Sequence, residues 1–324
     1  MTDPTPPAPG WSRRGVLGAT AAAVAGAGLL ALGADKVFAS DDAAGRRFGI
    51  SVGAAPADAI AAATAIGAQV GRNPTIVNTY AAWQWQAPFP VGFVREAAAA
   101  GIEPQITWEP WDPRRTADQP RYRLTDLDAY DSYLDSFAST AGALALPLNL
   151  RVAHEMNGWW YPWAVGQNGN TAADYVTAWR RIHDRTVAAG ADKVSWTWSV
   201  NAVDAALPGT RPVDVTRCYP GDDVVDVISL DAFDREGTLT PEQLLAPSIE
   251  KLSALAPGKP LWVNEIGTAR TTGQADWVHG CIDYLRGTRA SALLWFEIAA
   301  PGQPDYRLSA PDTVATARAS LHGW

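Results

Sequence analysis

Leu150-Arg151-Val152-Ala153-His154-Glu155-Met156-Asn157-Gly158-Trp159-Trp160-Tyr161-Pro162-Trp163 passes from an apolar run straight onto a carboxylate and then into a Gly- and Trp-rich stretch. Pro260-Leu261-Trp262-Val263-Asn264-Glu265-Ile266-Gly267 repeats the pattern. Each reads as a buried β-strand ending on a glutamate. A carboxylate in that position is poorly placed for a core. It is well placed at a strand's carboxyl end, where barrel enzymes keep their active sites.

Outward from these two strands the same alternation fills the chain. Strands are predicted at 48–52, 76–80, 103–108, 148–153, 193–199, 225–230, 261–264 and 292–297, rich in Val, Ile and Trp. Helical patterns lie between them at 54–67, 93–101, 127–144, 172–190, 241–255 and 273–287, several closed by glycine. Eight strands over residues 48–324 give about 35 residues per strand-plus-helix unit, the arithmetic of a (β/α)8 barrel. A doubly wound sheet shares the alternation, but no Gly-rich phosphate loop follows the first strand. The expected fold is therefore α/β, a single TIM barrel over 48–324, with no internal repeat.

Composition narrows the function classes. The chain has 324 residues, 47% of them hydrophobic and 19% charged, which argues against disorder in the main body. A net charge of −8 disfavours nucleic acid and anionic membrane surfaces as partners. Fifteen tryptophans are many for this length, and an indole face suits the C–H faces of a pyranose ring. Ser12-Arg13-Arg14-Gly15-Val16-Leu17-Gly18, followed by an Ala/Gly/Leu run and Val37-Phe38-Ala39, reads as a twin-arginine signal over 1–39. A short polar linker, 40–47, comes after it. Export from the cytoplasm is expected, with a retained anchor as the competing reading of the same run. Cys218 and Cys281 match no metal spacing; a disulfide and two separate thiols are both open.

Two strand-end carboxyl groups facing an aromatic cleft are what glycoside hydrolysis needs, one as proton donor and one as nucleophile. Other chemistries fit less well. A zinc protease motif on His154-Glu155 needs a second histidine where Gly158 stands, and the chain has only four histidines. There is no Gly-x-Ser-x-Gly nucleophile elbow. A barrel that binds glycan without cleaving it would need the aromatic platform but not both carboxylates.

The His154–Gly158 block with the Trp159–Trp163 run after it resembles the acid/base motif of glycoside hydrolase family 26. Further pieces fit in order: Trp108-Glu109-Pro110-Trp111, Tyr219-Pro220-Gly221-Asp222-Asp223, Asp231, Glu265, Trp295-Phe296 and Asp305-Tyr306-Arg307. The resemblance implies Glu155 as acid/base and Glu265 as nucleophile of a retaining mechanism without cofactor or metal. It places Trp295 under the reacting sugar and His154 in contact with the sugar or the carboxyl pair. Asn157, Trp160, Trp163, Trp108 and Trp111 are expected to line the cleft, with Trp83 and Trp85 on a further loop, and Asp231 to orient the site or bind a hydroxyl. Glu109 is expected to be structural. The family often has a tyrosine two residues after Asp231 whose hydroxyl bonds the nucleophile; here Phe233 stands, so another group must set that orientation. A β-linked polysaccharide is the implied partner, β-1,4-mannan first and mixed-linkage glucan second, with xylan and bacterial exopolysaccharide open. A monomer is expected.

Overall fold

The computed structural model describes residues 45–83, 87–111, 124–203, 212–299 and 303–324. The expected signal segment, 1–39, lies outside them, and so does Trp85. Eight parallel strands close into a barrel in sequence order: β1 (Arg47–Val52), β2 (Ile76–Ala82), β3 (Glu103–Glu109), β4 (Leu148–Val152), β5 (Val194–Asn201), β6 (Val227–Asp234), β7 (Leu261–Thr268) and β8 (Ala290–Glu297). The ring is completed by β8 pairing with β1, where Arg47 sits opposite Ala292. Arg47 is thus the first residue of the barrel rather than the end of the expected linker.

Helices α1 (Ala59–Val70), α2 (Val91–Ala99), α3 (Asp131–Leu144), α4 (Ala172–Ala188), α5 (Pro241–Leu255) and α6 (Gln274–Arg286) follow the expected order. Their ends have local causes. Thr171 and Thr240 each form a reciprocal capping box, with Asp174 and Gln243, which satisfies the N-cap amide and the third helical amide of α4 and α5. A further helix, α7 (Pro311–Leu321), has no counterpart among the expected ones, and its buried face is mostly small: Thr313, Ala317 and Ser320, with Leu321 alone large. Such a face gives almost no apolar periodicity. Among the described residues no helix is long and apolar enough to cross a membrane.

The barrel wall sorts its side chains by alternation. Phe48, Ile50, Ile106, Leu150, Trp196, Trp198 and Leu230 belong to the main apolar core, with the buried faces of the helices. Inside the barrel an apolar plug at the amino-terminal end contains Ile76, Val227, Trp262, Ala292 and Leu294. Above it the interior is polar. Gln105 donates to Asn149 and Asn264, Thr107 to Asn78, and Thr197 to Asn149, so these buried groups bond one another, while Asn149 Nδ2 has no partner among the described residues. The polar column leads up to the carboxyl ends of the strands, where both glutamates stand.

Candidate active site

Glu265 reaches the barrel interior through a β-bulge. On β7 Val263 pairs with Leu230, and the next pair is Glu265 with Asp231, which leaves Asn264 as an extra residue. Strict alternation would turn Glu265 outward once Asn264 faces in. The bulge shifts the parity and sends both inward, Asn264 to Gln105 and Glu265 to the layer above. There the guanidinium of Arg151 is buried among carboxylates. It donates through Nη1 to both oxygens of Asp231 (2.9 and 2.7 Å), through Nε to Thr107 (2.9 Å), and through Nη2 to Glu265 Oε1. Burial alone would favour loss of its proton, but Asp231 and Glu265 outweigh burial and hold it charged. Tyr80, on β2, donates its hydroxyl to the same Oε1 at 2.7 Å. Oε1 is thus held twice, and Oε2 takes no hydrogen bond from the described residues.

Glu155 is held differently. The chain leaves β4 through two residues in the left-handed region, Ala153 (φ 45°) and Glu155 (φ 51°). A β-carbon in that region costs roughly 1–2 kcal/mol each. The bonds that hold the turn offset this cost: Glu155 N donates to Ser199 O (2.9 Å), and Asn157 and Asn201 exchange two bonds of 2.8 Å. The carboxyl group accepts from Asn201 Nδ2 (2.7 Å) and Trp160 Nε1 (2.8 Å), both neutral donors. Burial first, then the negative Glu265, push its pKa up, and Arg235 and the two donors pull against them. A protonated acid is what these surroundings favour.

His154 lies beneath Tyr161, whose hydroxyl is 3.1 Å from Nε2, and burial keeps the imidazole neutral. Its Nδ1 has no partner among the described residues. Ligand atoms of His154, Asp231 and Glu265 lie within 4.8 Å of one another, a metal-like spacing. Both carboxylates already bind the Arg151 guanidinium, however, so a cation there would have to displace a buried charge. Glu109 ends β3 with Trp111 Nε1 as its donor (3.1 Å), and burial raises its pKa to about 8.

Several residues expected in the cleft belong to its supports. Trp108 turns outward, stacks on Phe137 with centroids 4.2 Å apart, and donates to Tyr133. Trp83 packs against Trp108 at 5.2 Å and is likewise fully buried. Trp163 stacks on Tyr161 at 4.1 Å, donates to the His154 carbonyl, and has no exposed surface. Trp111 is buried edge-on against Tyr161 and Trp163. Trp295 shares its side of the sheet with its partners Ile50 and Ile266 and packs on Trp277 of α6, so it is not the floor of a sugar site. Its neighbour Phe296 lies edge-on to Phe233 at 5.1 Å, with Tyr306 close to both. Gly267 permits that approach, since a β-carbon there would meet Tyr306 at 2.8 Å. Asp231 has no exposed surface and is saturated by Arg151 and Ser199, which makes it an orienting group. Asn157 ties the Glu155 loop to β5. Of the expected aromatic residues that are described, Trp160 alone is both partly exposed and in contact with a glutamate.

Arg151, Tyr80, Asn201, Tyr161 and Arg235 stand at the site without having been among the expected residues. Arg151 carried a signal, an ionised residue inside an apolar strand. The others became significant only when distant strands met.

The sequence matches the model of glycosyl hydrolase family 26 over residues 80–268, a span containing both glutamates and every residue that bonds them. The chain belongs to this family. Endoglucanase H of Acetivibrio thermocellus is 28% identical over 270 residues, 78% of this chain and 28% of that protein. A β-1,3-xylanase of an Alcaligenes species is 30% identical over 53% of this chain and 34% of its own length. The chain thus spans about a third or less of the length of these curated relatives. Among solved structures, the catalytic domain of a family 26 endo-β-1,4-mannanase from Bacillus sp. JAMB-750 superposes with a TM-score of 0.69 over 88% of each chain, at 18% identity. The family's barrel is the fold seen here. The two free, buried cysteines take no part in the site.

Proposed function

We propose that this chain is a retaining glycoside hydrolase that cleaves β-linked polysaccharide, with Glu155 as acid/base and Glu265 as nucleophile. One observation carries the reading: two buried carboxyl groups share one barrel mouth in opposite surroundings. Glu155 meets neutral donors and is pushed toward its protonated form, whereas Glu265 is ion-paired with Arg151. In the first step Glu155 gives its proton to the glycosidic oxygen as the C1–O bond breaks, and Glu265 Oε2 forms a bond to C1. Esterification removes the charge that held the Glu155 proton. Glu155, now ionised, then takes a proton from water while the water oxygen attacks C1 and Glu265 leaves.

β-1,4-Mannan is the first backbone to test. Mixed-linkage β-glucan is a second reading, favoured by the match to endoglucanase H over most of the chain. Export through the twin-arginine segment around Arg13 and Arg14 fits an enzyme acting on extracellular polymer. Incubating the chain with mannan, mixed-linkage glucan, β-1,3-glucan and xylan, with Glu265→Ala as control, tests the reading. Proton NMR of the first product should show retained anomeric configuration. Inversion, or turnover that survives Glu265→Ala, would overturn the mechanism.

A further inference from the structure

Arg235 stands at the cleft one residue beyond β6, half-buried. Its Cζ lies 5.4 Å from the centroid of Trp160 and 5.2 Å from that of Phe233, with the Tyr306 hydroxyl nearby. Trp160 is the residue that donates to Glu155, so two aromatic faces fix the guanidinium beside the proton donor. Its charge reaches that carboxyl group and favours the ionised form.

Arg235 has no carboxylate within 4.0 Å among the described residues, whereas its neighbours at this end of the barrel do. Arg151 holds Asp231 and Glu265, Arg270 holds Asp234, and Arg307 holds Asp305. In a chain of net charge −8 an arginine in a cleft without an acidic partner stands out. Stacking engages the faces of a guanidinium and leaves its N–H edge for an anion, and a planar carboxylate matches that fork with two bonds. The proton donor sits at the leaving-group oxygen, so a cation fixed beside it faces the sugar that departs.

We propose that Arg235 binds a carboxylate on the leaving-group sugar, so that the substrate is an acidic β-linked polysaccharide containing uronic acid. The proposal rests on reading the cleft as a glycosidase site, and it fits the two steps. While the uronate is bound, it cancels the Arg235 charge and Glu155 stays protonated. When the uronate leaves with its sugar, the charge returns and favours the ionised Glu155 that must activate water.

Binding separates this proposal from hydrolysis. Titration calorimetry on the Glu265→Ala protein compares neutral manno- and gluco-oligosaccharides with counterparts whose C6 is oxidised to the uronate. The uronates should bind about tenfold tighter at low salt, the value of one charge-assisted pair. Added salt should shrink the difference, Arg235→Gln in the same background should remove it, and Arg235→Lys should keep part of it. Equal binding of both series, or a uronate preference that survives Arg235→Gln, would overturn the assignment. Uronate binding without cleavage by the unmodified chain would keep Arg235 and defeat the hydrolase reading. No binding of either series, with no cleavage, would defeat both.

Discussion

Tyr80 and Glu265, 185 positions apart, meet across the mouth of the barrel in a 2.7 Å hydrogen bond from phenol to carboxylate. It supplies from β2 the hydroxyl that Phe233 does not supply from β6. Glu265, the proposed nucleophile, therefore has a two-donor cradle, Arg151 and Tyr80 on one oxygen, although Phe233 offers no donor.

Removing that hydroxyl should be costly, and the cost should be repairable. Tyr80→Phe is expected to lower kcat about tenfold or more, consistent with losing one bond to a charged group. Adding Phe233→Tyr to Tyr80→Phe should recover part of the loss. Steady-state kinetics across pH checks both; an unchanged rate in Tyr80→Phe would show that Arg151 alone sets the nucleophile.

The basic limb of the pH–activity profile should report Glu155. As the proposed acid, Glu155 must be protonated, so activity should fall as pH rises through its raised pKa. Trp160 Nε1 stabilises the ionised form, so Trp160→Phe should move that limb to higher pH. A limb that stays in place would mean that another group controls it.

Glu109 is a liability that a neutral isostere should remove. With a folded pKa of about 8 against an ordinary value of 4.5, it is protonated in both states at low pH. As pH rises above 4.5 the unfolded chain ionises and the folded chain does not, so stability falls until pH passes 8. At pH 7 this amounts to roughly 3 kcal/mol. Glu109→Gln can still accept the Trp111 bond. It should raise Tm at pH 7 and leave it nearly unchanged near pH 4, as followed by thermal unfolding at the two pH values. The same gain at both would place the effect elsewhere.

Trp108 and Trp163 should behave as core residues. Replacing either by alanine is expected to cost about 3–5 kcal/mol by leaving a buried cavity, read by denaturant unfolding. A stable variant that had merely lost affinity for glycan would restore the cleft role expected from sequence.

The barrel and its two glutamates were legible in the sequence because their signals are local. Apolar runs, glycine-terminated helical patterns and a carboxylate following an apolar run are each read within a few residues. The direction of a side chain was not legible, because alternation says that neighbours face opposite ways without saying which way is in. Trp108 and Trp295 follow that rule and face the helices, while Glu265 breaks it through the bulge at Asn264. The contacts that tune the site were not legible either. Arg151 with Asp231 and Glu265, and Tyr80 with Glu265, join different strands, and Asn201 joins β5 to the turn that carries Glu155. What the sequence by itself determined was the order of the eight strands and of the helices between them, and the two glutamates as candidates for chemistry. What the tertiary structure decided was which of them share a cavity and how each is charged, since burial and charge pairing depend on closure of the barrel.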